Sequence, residues 1–201
     1  MTNFVYIGTS LDGYISASDG GLDWLEFVPI PEGDDLGFAD FMARVDAVVM
    51  GRNTFETLIG FGVGWHYPRP GLILSSTMNS APADFEGHVS FASGSPSEIV
   101  AHAKSLGYQN LYIDGGVTVQ RFLREDLIDE IIITQIPILL GGGRHLFGEL
   151  NKPLGFELID SKILADQLVK RWYRRKRDLS ALETASNDAN PMKLETNTKL
   201  F

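Results

Sequence analysis

The chain of 201 residues has no cysteine, no long apolar run and no excess of positive charge. Without cysteine there is no disulfide, no thiolate nucleophile and no cysteine-ligated metal. The longest apolar run, 131–140, is interrupted by Thr134, Gln135 and Pro137, whereas a membrane-spanning helix needs about 18 apolar residues. The 26 acidic and 17 basic side chains give a formal net charge of -9. This charge argues against nucleic acid as a partner, since a polyanion requires a basic surface.

Other absences bear on location and metal binding. The opening sequence MTNFVYIGTSLDG has no basic segment followed by an apolar run, so we predict no signal peptide and expect a cytoplasmic protein. The 4 histidines are scattered and show no ligand spacing, so we predict no metal site. The hydrophobic content of 44% and the length together favour one folded domain.

Short apolar runs that end at turn residues alternate with helical patterns, which predicts an α/β fold. Because the last strands are neighbours along the chain, we expect a mixed, mostly parallel sheet that ends in an antiparallel hairpin. We predict a domain at 1–178 and a flexible polar tail at 179–201. The predicted strands are 4–10, 14–17, 47–50, 72–74, 89–91, 111–113, 130–138, 156–162 and 167–177, and the predicted helices are 35–44, 53–58, 96–106 and a short helix ending at 124.

Three predicted strand ends carry glycine or hydroxyl side chains: VVMGRNTFE (48–56), LILSST (72–77) and LYIDGGVTVQRFL (111–123). In open α/β sheets, ligands bind beyond the carboxyl ends of the strands. Glycine lets the backbone approach a phosphate, and the first N–H groups of a helix attract anions. Each motif alone is ordinary turn chemistry, but three such ends would surround one dinucleotide.

These segments resemble dihydrofolate reductases, which have an MGR-x-T segment, a strand ending in two serines and a Gly-Gly turn before a helix. The segments SLDGYIS (10–16) and DEIIITQIPILLGGGRHLF (129–147) are similar to a second branch of that superfamily, the reductase domain of riboflavin biosynthesis. The resemblance covers residues 3–177. It implies a dihydrofolate-reductase-like three-layer fold, with helices on both faces of the sheet, and NADPH as the cofactor.

The resemblance also implies where NADPH would lie. Arg52 with Ser75 and Ser76 would favour NADPH over NADH, with the two serines binding the ribose 2′-phosphate and Arg52 supplying charge. Val117 stands where dihydrofolate reductases carry a basic residue, so we expect a lower cofactor affinity. The implied cofactor-binding residues are Gly8, Thr9 and Ile15 at the nicotinamide, Gly51, Arg52, Asn53 and Thr54 at the adenosine side and pyrophosphate, Ser75 and Ser76 at the 2′-phosphate, and Gly115, Gly116, Val117 and Thr118 at the pyrophosphate.

Asp114 is the candidate catalytic residue, because a carboxylate beside the nicotinamide could orient a polar substrate or relay a proton. The alternative is a turn aspartate that caps the following helix. We interpret Asp12, in the SLDG turn, as structural. Asp35 and Asp40 lie at the chain position of the folate-binding acid but lack its flanking sequence. We therefore interpret both as surface acids and expect slow turnover of dihydrofolate.

We predict an NADPH-dependent reductase of a small heterocyclic, pterin-like or pyrimidine-like substrate, similar to 5-amino-6-(5-phosphoribosylamino)uracil reductase or dihydrofolate reductase. The alternative is a non-catalytic nucleotide-binding module. The isoleucines of 130–138 do not fit one face of a half-buried strand. Because monomers rarely expose a large apolar surface, we predict a homodimer through the late strands. The alternative is a monomer whose tail covers this strand. We interpret the basic run 170–177 as solvated cations on a sheet edge rather than a nucleic-acid surface.

Overall fold

The computed structural model describes residues 1–177, so the tail predicted for 179–201 lies outside the described residues. A short 3-10 helix covers Asp23–Phe27 and another covers Ala83–Phe85. The strands are β1 (Thr2–Thr9), β2 (Tyr14–Ser16), β3 (Ala47–Gly51), β4 (Gly71–Leu74), β5 (Val89–Ala92), β6 (Asn110–Asp114), β7 (Glu130–Gln135), β8 (Arg144–His145), β9 (Phe156–Leu164) and β10 (Leu168–Arg175), and the helices are α1 (Phe38–Ala43), α2 (Arg52–Gly60), α3 (Pro96–Ser105) and α4 (Gly116–Arg124).

Eight of these strands form one sheet in the order β5-β4-β3-β6-β1-β7-β10-β9. The pairs from β5 to β7 are all parallel, and β10 pairs antiparallel with both β7 and β9. The predicted mixed sheet with a C-terminal antiparallel hairpin is therefore confirmed. Strands β2 and β8 form a separate two-stranded ladder.

Two apolar cores lie on opposite faces of the sheet, because successive side chains of a strand alternate between faces. Phe4 of β1 and Tyr112 of β6 pack with the buried side chains of α1 and α2. Their neighbours Val5 and Leu111 pack with α3 and α4 on the other face. Helices thus cover both faces, which confirms the three-layer arrangement.

Helix α3, predicted to begin at residue 96, begins there with a capping box. The Glu98 N–H donates to Ser95 Oγ at 3.3 Å, and the Ser95 N–H donates to Glu98 Oε2 at 2.8 Å. Pro96 occupies the first helical position, where its missing N–H costs no hydrogen bond.

Two predicted helices have different starts in the structure. The helix predicted from 35 begins at Phe38, because Asp35 lies outside it and accepts hydrogen bonds from the Gly37 and Ala39 N–H groups at 2.8 and 2.7 Å. Helix α2 begins at Arg52 with Gly51 at its N-cap, so Asn53 lies inside the helix.

The late part of the sheet also differs from the prediction. Strand β7 ends at Gln135, two residues before Pro137, which cannot donate to a ladder. Strand β10 is an inner strand and β9 forms the edge, so the basic run 170–177 does not lie on an edge. Between β2 and α1, where no helix was predicted before residue 35, a 3-10 helix buries Trp24. Across residues 1–177, the helices are all too short or too polar for a membrane crossing.

Candidate cofactor and substrate site

The three predicted strand ends lie side by side at the carboxyl edge of the sheet. Met50 of β3 is the register partner of Asp114 in β6, and Gly51 is the partner of Leu74 in β4. Helices α2 and α4 begin directly after β3 and β6. Among the described residues, neither helix has a side chain that caps its first turn. Their first N–H groups are therefore available to an anion at this edge.

Glycines at this edge permit close packing between the segments. A Cβ at Gly51 would lie 3.0 Å from Thr118 Oγ1, and a Cβ at Gly116 would lie 2.7 Å from Ile15 Cδ1. A Cβ at Gly115 would overlap the Thr54 side chain, and Gly115 has φ 85, which side chains rarely tolerate. The structure thus brings together the residues predicted to surround the pyrophosphate.

A hollow of about 500 Å³ lies beyond the end of β4 and contains two arginines among hydroxyl groups. Arg52 Nη1 donates to Thr77 Oγ1 at 3.2 Å, and Arg121 Nη2 donates to the Gly94 carbonyl oxygen at 2.6 Å. Guanidinium and hydroxyl donors in one hollow match the acceptors of a phosphate monoester. The hollow is lined by Arg52, Leu74, Ser75, Ser76, Thr77, Ser93, Gly94 and Arg121.

Ser75 contributes to this hollow in two ways. Its Oγ accepts hydrogen bonds from the Met78 N–H at 2.8 Å and the Thr77 N–H at 3.2 Å, which shapes the turn after β4. A serine hydroxyl that accepts hydrogen bonds still has its own proton to donate. Ser75 can therefore both hold the turn and donate to an anion, as predicted for the 2′-phosphate.

Arg121 was missing from the predicted site. It lies one helical turn after Val117, and residues four apart in a helix share a face. The next turn of α4 thus places a cation in the hollow, although Val117 itself carries none. The signal in the sequence is a basic residue at i+4 from Val117 in a predicted helix.

Asp114 ends β6 on the same face as Tyr112, towards α1 and α2. The Gly115 N–H donates to Asp114 Oδ1 at 2.8 Å. This bond precedes α4, whose N-cap is Gly115, so Asp114 does not cap the helix. Burial raises the pKa of Asp114 to about 6, against the opposing hydrogen bond from the Gly115 N–H. Near neutral pH this carboxyl can therefore both hold and release a proton.

The residues predicted to border the nicotinamide do not share one face. Gly8 lies under the 3-10 helix, because a Cβ there would be 2.9 Å from Leu25 Cδ2. Ile15 lies against Gly116. Thr9 follows Gly8 on β1, so its side chain points to the opposite face and lines a second hollow near Ile133 and Tyr173.

The other acids near the site have structural hydrogen bonds. Asp12 accepts from Ser10 Oγ at 2.6 Å, from the Gly141 N–H at 2.8 Å and from the Leu140 N–H at 3.2 Å. The hydrogen bond from Ser10, followed by those of the two N–H groups, lowers the pKa of Asp12 to about 2 despite some desolvation. Asp12 thus ties the turn after β1 to residues 140–141, in agreement with its interpretation as a structural residue.

The fold defines the class of protein. The structure is similar to dihydrofolate reductase from Enterococcus faecalis complexed with NADP(H), with 20% identity, a TM-score of 0.61, and coverage of 87% of this chain and 96% of that chain. At that identity the likeness shows the fold alone, which is dihydrofolate-reductase-like.

The family follows from more similar sequences. Residues 73–170 match the model of the RibD C-terminal domain. The chain is 36% identical over 160 residues to the uncharacterized protein YwjB of Bacillus subtilis, covering 79% of this chain and 89% of that protein. It is 50% identical to a candidate riboflavin biosynthesis protein from Shewanella sp. PV-4, with a TM-score of 0.85 and coverage of 88% of this chain and 100% of that one. The chain belongs to the RibD C-terminal domain family.

Proposed function

We propose that this protein is an NADPH-dependent reductase that transfers a hydride to a small heterocyclic substrate of the pterin or pyrimidine type. The observation that carries the proposal is the hollow in which Arg52 and Arg121 lie among serine and threonine hydroxyls. NADPH differs from NADH by a 2′-phosphate, and this group needs such donors. The relation to the RibD C-terminal domain supports a reductase fold and leaves the substrate to experiment.

The chain's own residues would perform three tasks. Arg52, Arg121 and Ser75 would bind the 2′-phosphate, and the first N–H groups of α2 and α4 would bind the pyrophosphate. Bound NADPH supplies the hydride for the carbon of a C=N or C=O group. The nitrogen or oxygen of that group then needs a proton, which protonated Asp114 can donate, leaving its carboxylate.

Turnover of NADPH with candidate heterocyclic substrates tests the proposal. We expect loss of NADPH absorbance with at least one pterin or pyrimidine compound, and slow turnover with dihydrofolate. Asp114→Asn should bind NADPH like the wild type and lose most turnover. Binding without turnover across the series would favour the alternative, a non-catalytic nucleotide-binding module.

We also propose that two copies associate through the face of β7, β10 and β9 that α3 and α4 leave uncovered. A hollow of about 350 Å³ on this face is lined in part by Ile131, Ile133 and Phe147. Leu158 and Ile163 of β9 are 57% and 73% exposed and pair with residues of β10 that point to the same face. Monomers rarely expose such an apolar surface, and a two-fold axis would pair it with itself.

Light scattering at micromolar concentration tests this association. We expect about twice the chain mass of 22.2 kDa, in the full chain and after deletion of 179–201. A dimer that is lost on deletion would indicate that the tail takes part, and a mass equal to one chain would reject the dimer. Leu158→Glu with Ile163→Glu should produce the monomer.

A further inference from the structure

Residues 61–70 connect α2 to β4 and are held against the end of α1. Arg69 Nε donates to the Met42 carbonyl oxygen at 3.2 Å. Trp65 Nε1 donates to the Arg69 carbonyl oxygen at 2.8 Å, and the Trp65 ring lies against Gly71, where an added Cβ would be 2.5 Å away. These contacts fix Tyr67, which lies between Trp65 and Arg69.

The Tyr67 ring lies in an aromatic cluster on the side of the sheet that carries Asp114. Its centroid is 4.9 Å from that of Trp65, 6.3 Å from that of Phe38 and 6.4 Å from that of Tyr112. Tyr112 and Asp114 are two residues apart in β6 and therefore share a face, about 7 Å from one another. Tyr67 is thus a neighbour of Asp114, although 47 positions separate them in the sequence.

The third tyrosine of this cluster is Tyr6, whose ring centroid is 5.5 Å from that of Phe38. The three tyrosines differ in their hydrogen bonds. The Tyr112 hydroxyl donates to the Tyr6 carbonyl oxygen at 2.8 Å. The Tyr6 hydroxyl donates to the Leu36 carbonyl oxygen at 3.2 Å and accepts from Lys170 Nζ at 3.0 Å. Within residues 1–177, the Tyr67 hydroxyl has no such partner. Burial and the charge of Asp114 raise the pKa of Tyr67, so this hydroxyl keeps its proton and can donate it in a hydrogen bond.

We propose that Tyr67 binds the substrate, with its hydroxyl donating to a carbonyl oxygen or ring nitrogen of an uncharged planar heterocycle whose N–H edge faces Asp114. The inference rests on the proposed function, which brings a substrate to this side of the sheet. Aromatic side chains favour a planar ring. The cation of the cluster, Lys170, already donates to Tyr6 and to the Leu36 carbonyl oxygen at 2.9 Å. The charge of Asp114 acts on Tyr67 and would repel an anionic substrate there.

Lumazine, a fluorescent and uncharged pteridine-dione with N–H and C=O groups on one edge, is a suitable probe. Its binding is titrated with the full chain, alone and with saturating NADP⁺. We expect Tyr67→Phe to weaken lumazine binding about three- to ten-fold, the effect of one neutral hydrogen bond. The matched control Tyr108→Phe removes the same atom from a tyrosine that packs on the opposite face of the sheet, and should bind lumazine like the wild type.

A methylated probe separates the two contacts. 1,3-Dimethyllumazine keeps the carbonyl groups and lacks the ring N–H groups. Tyr67→Phe should weaken both ligands by a similar factor, whereas Asp114→Ala should weaken only lumazine. If Tyr67→Phe binds lumazine as tightly as the wild type, or if the wild type does not bind lumazine, the inference is wrong.

A change in the ligand tests the same hydrogen bond by comparing two ligands within each protein. A lumazine analogue with a thiocarbonyl in place of a carbonyl is a weaker hydrogen-bond acceptor. The wild type should bind this analogue several-fold less tightly than lumazine, whereas Tyr67→Phe should bind the two ligands with about equal affinity. An equal loss in both proteins would overturn the inference. NADPH affinity and turnover are measured separately. Lumazine binding through Tyr67 without any oxidation of NADPH would contradict the proposed function and leave the binding role of Tyr67 standing.

Discussion

Arginines lie at both ends of the central sheet, but their partners differ. At the amino end of β7, Arg175 forms a bidentate pair with Asp126 at 2.7 and 2.9 Å, and the Arg175 side chain is 2% exposed. Arg44 and Arg174 both contact the buried Glu130 at 3.3 Å. At the carboxyl edge of the sheet, Arg52 and Arg121 instead face a hollow among hydroxyl groups.

The difference separates structural from ligand-binding charge. The buried arginine at the amino end has a carboxylate partner, as burial of a charge requires. At the carboxyl edge, Arg52 Nε lies 3.6 Å from Glu56 Oε1, and both side chains are about half exposed (48% and 49%). A surface pair of this kind contributes little and leaves the guanidinium available to an anion. The two ends should therefore respond differently to loss of an arginine.

The largest expected effect is at the amino end. Arg175→Ala should lower the free energy of unfolding by about 3–5 kcal/mol, because it leaves Asp126 without its partner. The 26% exposure of the Asp126 side chain favours the lower end of that range. Urea unfolding measures the change. The control Arg177→Ala breaks a pair with Asp129 in which Arg177 is 52% exposed, and should cost less than about 1 kcal/mol.

At the carboxyl edge, Arg52→Ala and Arg121→Ala should each weaken NADPH binding about ten- to a hundred-fold, since a hydrogen bond to a charged group is worth about 1.5–3 kcal/mol. NADH affinity and unfolding should stay near wild type. Fluorescence titration of both cofactors measures the effect. The control is Arg124→Ala, which lies in the same helix but donates to the Glu149 carbonyl oxygen at 3.4 Å. Equal losses for NADH and NADPH would contradict the assignment of this hollow to the 2′-phosphate.

A smaller effect concerns Asp114, the carboxyl group at the end of β6. Burial raises the pKa of Asp114 to about 6, above its value in the unfolded chain of about 3.9. Between these values the folded protein binds the proton more tightly, so this contribution to stability is present below pH 4 and is lost as the pH rises through about 6.

Asp114→Asn should remove this part of the pH dependence. At pH 7 the variant should be more stable than the wild type by about 1–2 kcal/mol, since one pKa unit corresponds to about 1.4 kcal/mol and partial solvation reduces the effect. The difference between the two unfolding curves against pH isolates Asp114 from Asp12, whose lowered pKa acts in the opposite direction. Parallel curves for the two proteins would show that the pKa of Asp114 is the same in the folded and the unfolded chain.

Part of the candidate site could be predicted because its determinants are local. Glycine at 51, 115 and 116 and serine at 75 mark strand ends and turns that depend on a few neighbouring residues. The start of α3 is local in the same way, because the capping box of Ser95 and Glu98 spans four residues, and its predicted position at residue 96 is confirmed. The boundaries of α1 and β7 were less predictable, because the Asp35 carboxylate and Pro137 compete with the apolar pattern.

The sequence by itself determined the alternation of strands and helices, the strand ends that meet at the carboxyl edge, and the resemblance that predicts NADPH. Only the tertiary structure decided which side chains from distant segments share a face. It placed Arg121 beside Arg52 and Tyr67 beside Asp114. It also placed the side chain of Thr9 on the face of the sheet opposite to Gly8, and β10 inside the sheet. The physical reason is that turns, helix ends and hydrophobic periodicity depend on residues close in the chain, whereas the strand order brings together residues tens of positions apart.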